Sequence, residues 1–358
     1  MQTKKFNALT GLRAVAAIMV FLYHNRKTWI GFLPNPLLQV LNEFHTGVSV
    51  FFVLSGFLIA YTYGEQPTQS RDNYRRYLLV RLARIFPFYL LLLSVKYIHL
   101  GFPPAAETGL TYTLMQGLFD GYSLSGIPQA WSLTTELCFY ILAPFIAVYA
   151  LKNIYKAFGI LLLLFALTLG IGWVLELLHY NKAGFLYDGL FVLNTVFTGR
   201  FAEFYFGMLL ALHIKGAIRI PLLEKMRYQT IIGGTGMLLA IIAIAAFQKG
   251  IYTHGVETYP GTLIRNLVFP TTVALLINGL IRERTWLQWL LGSKVAVLMG
   301  NASFIFYLVH INYVNNQLWG IHHFPDRNFC LLWLISIVAY LLIEKPLYEK
   351  LKYLIRKK

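Results

Sequence analysis

Charge is what this sequence has least of. Of its 358 residues only 13% are Asp, Glu, Lys or Arg, about half the share found in a soluble globular domain. Apolar residues make up 57% and aromatic residues 16%, and the mean hydropathy is +0.58. Such a deficit excludes an ordinary soluble globule. Charge-poor stretches of about 20 residues, each long enough to cross hydrocarbon as a helix, recur from end to end. Acidic residues are scarcer than basic ones, 15 against 31, which leaves a net charge of +16. The basic residues punctuate the apolar runs instead of clustering on a soluble domain, so nucleic acid is excluded as a partner. Cysteine is nearly absent. Cys138 and Cys330 lie in or beside apolar runs with no CxxC or Cys/His spacing, so neither a disulfide framework nor a zinc site is indicated and no metal is expected. Gly/Ser or Pro linkers, low-complexity tracts and soluble appendages are also missing, and residues 1–358 read as a single integral-membrane domain.

Hydropathy windows predict an all-α bundle of ten transmembrane helices, at 9–30, 44–63, 78–100, 130–150, 156–178, 187–213, 230–248, 260–281, 298–319 and 328–346. An even count places both termini on one side. The segments on that side carry 22 of the 31 basic residues, whereas the opposite side carries five, Arg26, Lys27, Lys182, Lys249 and Arg327. By the positive-inside rule both termini are expected in the cytoplasm. The first apolar run follows MQTKK directly and lacks a small-residue cleavage site, so it is expected to stay as an uncleaved anchor. The longest external segment, 101–129, contains no Lys or Arg and is long enough for a re-entrant or interfacial lid.

Four basic residues, Arg13, Lys96, Arg200 and Arg265, are counted on neither side and lie well inside spans. An ionisable group there costs about 2.5 to 3.5 kcal/mol on insertion scales and marks a functional site by default. Arg13 and His24 in the first span are eleven residues apart, which returns them to within about 20° of one face and about 16 Å apart along the axis. Snorkelling to the inner interface is the alternative for Arg13, and an interfacial or packed histidine is the alternative for His24. Arg81 and Arg84 share a face at the cytoplasmic start of the third span. Topology alone accounts for Arg75 and Arg76; Arg81 and Arg84 lie deeper, where bidentate guanidinium donors suit phosphate and positive-inside topology is the alternative reading. In the fourth span Glu136 sits less than two turns from the outer face, as a paired carboxylate or as an acid or base. Arg200 and Glu203 are i and i+3, the spacing of an internal ion pair. Ser303, Tyr307 and His310 fall on one stripe of the ninth span, where interhelical polar bonding is the alternative reading. Ser55 with Gly56, and GGTGM at 233–237, read as close helix contacts.

The ordered blocks LTGLRAVAAIMVFLYH, GVSVFFVLSGFLI, RRYLLVRLARIFPFY, WSLTTELCFY, GRFAEFYFGMLLA, GNASFIFYLVH and IEKP resemble those of the acyltransferase-3 family of integral membrane O-acyltransferases, over about residues 7–347. Each block alone is weak; the ordered set is specific. The resemblance implies an enzyme of the bacterial cytoplasmic (inner) membrane that moves an acyl group, commonly acetyl, from cytoplasmic acyl-coenzyme A to a hydroxyl. The implied acceptor is a cell-surface saccharide or its lipid-linked precursor. Acyl-CoA is then a co-substrate and no tightly bound cofactor is expected; membrane lipid and proteins of surface-polysaccharide assembly are the implied partners. Carried over by position, the family's Arg and His pair falls on Arg13 and His24, its third-span arginines on Arg81 and Arg84, and its Trp-Ser-Leu-x-x-Glu motif on Trp131 and Glu136. Many members carry an additional periplasmic esterase-like domain, and this chain is expected to be a stand-alone membrane unit.

Residue chemistry and resemblance lead to one expected mechanism. Arg81, Arg84, Arg13 and Arg200 provide the cationic surface for the coenzyme A phosphates. Neutral His24, with a reference pKa near 6.5, serves as general base, and Glu136 orients or stabilises its imidazolium. Trp131, Ser303, Tyr307 and His310 are assigned to the acceptor. A covalent acyl-His intermediate is the variant of this scheme. The rival class is a proton-coupled transporter or flippase of a glycoconjugate, because intramembrane Arg, Glu and His also line such pathways; no internal repeat or Pro-Gly helix break supports it in the sequence.

Overall fold

The computed structural model describes residues 6–357 apart from 65, 252 and 312–324. It is an all-α membrane helix bundle: among the described residues there is no strand, and seven helices are long and apolar enough to span a bilayer. The chain divides into two compact units, residues 1–62 with 202–303 and residues 63–201 with 304–358.

The first unit is built on α1 (Asn7–His24), α2 (Asn35–Asn42) and α3 (Gly47–Thr62). A tight turn, Glu43–Thr46, joins α2 to α3. The apolar run expected at 44–63 is therefore preceded by two further helical turns. Short helices α5 (Ala105–Tyr112), α8 (Gly189–Thr195) and α10 (Pro221–Lys225) separate the longer α4 (Arg71–Leu100), α6 (Trp131–Lys152), α7 (Ile154–Leu177), α9 (Phe197–Ile214) and α11 (Gln229–Ala245). In the first unit α3 packs on α9 through facing glycines. A Cβ on Gly56 would lie 2.0 Å from the Phe204 carbonyl oxygen, and one on Gly207 would lie 2.0 Å from that of Val53. Only hydrogen side chains allow this approach, and it lets Phe52 and Phe204 stack at 4.4 Å. The expected small-residue contact at 233–237 is also present: Gly233 meets Leu276 of α13 (Phe269–Arg282) at 2.3 Å from its Cβ position.

A second helical stretch of the first unit is α12 (Tyr259–Leu263), continued into α13 by a wide turn over Ile264–Val268 that buries Arg265 and Asn266. Arg265 Nε donates to Asn266 Oδ1 at 3.0 Å. The span expected at 260–281 is thus present but bulged. Helices α14 (Trp286–Leu291) and α15 (Lys294–Val309) follow; the end of the ninth expected span, 312–319, lies outside the described residues.

In the second unit α4 begins at Arg71, earlier than the hydropathy edge at 78, because Ser70 caps it by accepting from the Asn73 N–H at 3.1 Å. Asn153 caps α7 in the same way. Most of α7 is uncovered: Leu162, Leu163, Leu167, Ile171 and Trp173 are exposed, as befits a helix turned to lipid. The segment 101–129 folds back on α4, with Tyr89 Oη donating to the Thr111 carbonyl at 2.7 Å and Lys96 Nζ to that of Gly126. The helix expected at 187–213 is interrupted, since Val196 is extended between α8 and α9; neither proline nor a Pro-Gly pair makes the break. The last expected span is α16 (Pro325–Ala339), which runs through a wide turn at Tyr340–Glu344 into α17 (Lys345–Lys357). The basic tail is therefore helical.

Candidate active site

Within the first unit, α1 is one unbroken helix from Asn7 to His24, so the eleven-residue spacing keeps Arg13 and His24 on one side, about 16 Å apart along the axis. Arg13 is half-buried between buried Leu12 and Ala14. His24 is the last residue of the helix and exposed, its ring edge-on to Tyr23 at 4.4 Å. The helix stops there because the Asn25 side chain donates to the Phe21 carbonyl at 2.9 Å, satisfying a terminal acceptor. Glu203 is fully buried, and buried Ser303 donates its hydroxyl to the Gly300 carbonyl at 2.8 Å.

The second unit joins its two predicted charge clusters through residues the sequence reading passed over. Tyr140, one turn along α6 from Glu136, donates its hydroxyl to Glu136 Oε1 at 2.6 Å. The Arg81 guanidinium lies 5.9 Å from the centroid of the same Tyr140 ring and 4.7 Å from that of Tyr63. Tyr77 fixes α4 against α6 by donating to the Tyr140 carbonyl at 3.0 Å. Arg81 Nε is buried and has no hydrogen-bond partner among the described residues; its cation is held by ring faces. Arg84 lines a cavity of about 30 Å³ with Pro87, Glu344 and Tyr348, room for about one water. Beside it a groove of about 330 Å³ is lined by Tyr63, Asn73, Arg76, Tyr77 and Arg356. Arg76, assigned to topology by sequence, thus faces a concave surface.

At the start of α6 the Arg200 guanidinium lies 5.4 Å from the Trp131 ring centroid and donates to the Asn194 carbonyl at 3.1 Å. It thereby serves one of the carbonyls left open where α8 ends. Sequence spacing linked Arg200 with Glu203; its contacts with Trp131 and Asn194 depend on the break at Val196. Tyr307 Oη and Ser132 Oγ are hydrogen-bonded at 2.8 Å and lie 3.1 and 2.9 Å from the Gln129 carbonyl; with one proton each, one hydroxyl donates to the other, which donates to that carbonyl. Gln129 Nε2 donates in return to the Tyr307 and Leu308 carbonyls. Buried His310 donates from Nδ1 to the Tyr307 carbonyl at 2.7 Å, which leaves Nε2 as the basic nitrogen of the neutral ring. Ser303, Tyr307 and His310 share a stripe, yet each hydrogen bond described here has a different acceptor.

These residues can be set beside known proteins. A family model described as "Acyltransferase domain" matches residues 6–344. A Staphylococcus aureus (strain COL) protein named "Putative O-acetyltransferase" is 23% identical over 378 residues, covering 94% of this chain and 56% of its own length. The chain therefore spans about half the length of such relatives. An uncharacterised Haemophilus influenzae protein is 25% identical over 57% of this chain and 91% of its own. "Protein 2 in picA locus" of Rhizobium radiobacter is 28% identical over 37% and 78%. No solved structure matches. With the match running through α1, α4, α6 and α9 and on to Glu344, the chain belongs to the acyltransferase-3 family.

Proposed function

We propose that this chain is a membrane O-acyltransferase that takes an acetyl group from acetyl-coenzyme A and delivers it to a hydroxyl of a cell-surface saccharide or its lipid-linked precursor. The family match across residues 6–344 carries the reading. The helix α1, with a cation at Arg13 and an exposed imidazole at its end, supports it.

In this reading the groove beside Arg76 and Arg356, together with Arg81 and Arg84, receives the nucleotide phosphates of the donor, because guanidinium groups bind phosphate bidentately. The pantetheine arm carries the thioester. Neutral His24 accepts the proton of the acceptor hydroxyl as its oxygen attacks the thioester carbonyl. The C–S bond breaks, the ester C–O bond forms, and coenzyme A leaves as the thiolate, to be reprotonated by the imidazolium or water. Glu136, held by Tyr140, is the second ionisable group assigned to the reaction.

The break between α8 and α9 is a feature shared with transport folds and keeps a second reading, glycoconjugate transport, in view. Purified protein in liposomes, given labelled acetyl-coenzyme A and extracted glycolipid, separates the two. Label moved to the acceptor, or slowly hydrolysed, supports the enzyme; glycolipid flux with no loss of label from coenzyme A supports the transporter.

A further inference from the structure

Three side chains of the first unit that neither the predicted mechanism nor the family blocks use converge beside the end of α1. Glu43 and His45 come from the tight turn between α2 and α3, and His254 from the segment joining α11 to α12. One ligand atom from each, two imidazole nitrogens and a carboxylate oxygen, lie within 4.8 Å of one another. His45 Nε2 and Glu43 Oε2 are 3.0 Å apart. A tetrahedral ion with bonds of about 2.0 to 2.2 Å sets its ligands about 3.4 Å apart, so the His45–Glu43 pair has to spread slightly and no other pair has to close by more than about 1.5 Å.

The surroundings are those of a prepared ligand set. The Glu43 side chain is completely buried, and its Oε1 accepts from Gln248 Nε2 at 2.6 Å and from the Gly255 N–H at 2.7 Å. Gln248 is held in turn by the Gln39 carbonyl, and Asn42 donates to that of Ile251, tying the two ligand-bearing segments together. Oriented in this way, the carboxylate presents Oε2 to the histidines. Tyr23 Oη is 3.3 Å from His254 Nε2, and the Tyr23 ring packs edge-on to His45 and His254 at 5.4 Å each. His254 Nδ1 is buried, and the His254 ring has a backbone partner at Asn42. A buried carboxylate is costly without a counter-charge, and the His45 ring, 3.0 Å from Oε2, is the partner within ion-pair distance. The Arg26 guanidinium is turned elsewhere, over the Tyr23 ring at 4.5 Å and onto the Tyr23 carbonyl.

We propose that Glu43, His45 and His254 form a binding site for a divalent transition metal of the zinc class. Two imidazoles and one carboxylate suit zinc, and three protein ligands leave a fourth position for water or a substrate oxygen. The hydrogen bonds of Gln248 and Gly255 to the carboxylate are the supporting contacts that metal-binding side chains ordinarily need. Nothing in this assignment depends on the acyltransferase reading.

The test uses the full chain, purified on a tag free of histidine, stripped with chelator and dialysed against limiting zinc. Metal content by mass spectrometry is expected to be about one zinc per chain, falling to near zero in His45→Ala and His254→Ala and staying unchanged in His179→Ala, an exposed histidine. Cobalt loading of the wild-type chain is expected to give the visible absorption of a tetrahedral site, which decides the matter even if a variant fails to fold. A wild-type chain that holds no zinc and stays colourless with cobalt overturns the proposal and leaves a hydrogen-bonded Glu43–His45 pair. Zinc retained by the His45→Ala, His254→Ala double variant overturns it equally.

Discussion

Tyr140 donates its hydroxyl to Glu136 Oε1 at 2.6 Å, and the Arg81 guanidinium lies 5.9 Å from the centroid of that tyrosine's ring. The carboxylate of one span and the cation of another are thus two ends of one contact chain through an aromatic side chain.

Removing only the hydroxyl isolates the first link. An O–H···O⁻ bond of this length is charge-assisted, and losing one costs about 1.5 to 3 kcal/mol. Tyr140→Phe is expected to fold normally, since the ring stays, and to lower acyl transfer by about 10- to 100-fold. Rates of label transfer beside a thermal melt check this; unchanged turnover separates Tyr140 from the reaction.

The cation end calls for the opposite design. Lys keeps the charge of Arg81 but lacks a flat guanidinium to lie against Tyr63 and Tyr140. Arg81→Lys is expected to raise KM for acetyl-coenzyme A by about 10-fold while kcat changes little, as measured in the same transfer assay.

Much of this was legible in the chain. The Arg13 and His24 relation needed only an unbroken helix, and α1 is one. Tyr140 was legible too, because i and i+4 share a helix face, but an aromatic residue in an apolar run carries no special mark. The partners of Arg200 were not, because they depend on a break at Val196 that neither proline nor a Pro-Gly pair announces. Glu43 and His254 are 211 positions apart in sequence, and no periodicity links them; only the packing of the loop after α11 on the turn after α2 brings them together. The early start of α4 was visible in Ser70, though hydropathy placed the edge later.

Glycine at the α3–α9 contact sets a stability prediction. A methyl group on Gly56 or Gly207 would stand 2.0 Å from a backbone carbonyl that belongs to a packed helix. Gly56→Ala is expected to cost about 1 to 3 kcal/mol or more through forced separation of the helices, visible as a lower melting temperature in detergent. A Ser55→Ala control is expected to move it far less.

Stability also has a pH-dependent part outside the spans. The Glu283 carboxylate caps α11, accepting from the N–H groups of Gln229 at 2.6 Å and Thr230 at 3.0 Å. Burial raises its pKa, but the hydrogen bonds from Thr230 and Gln229 outweigh that and hold it below the usual 4.5. Because the folded value is the lower one, the stabilisation is complete above the unfolded value and is lost as pH falls through the folded one. Glu283→Gln is expected to melt lower than wild type at pH 7, by about 1 kcal/mol of cap energy. The gap should narrow progressively once the pH falls below the usual carboxylate value of 4.5. Parallel melts between pH 3 and 7 would show it; a gap independent of pH would mean that the charge contributes nothing.

The central claim is that His24 carries the proton transfer. Its most direct test is His24→Ala, purified as the intact chain and given labelled acetyl-coenzyme A with an acceptor saccharide, with coenzyme A binding followed in parallel. The account predicts a folded protein that still binds coenzyme A and transfers no label above background. Near-normal transfer by that variant would contradict it.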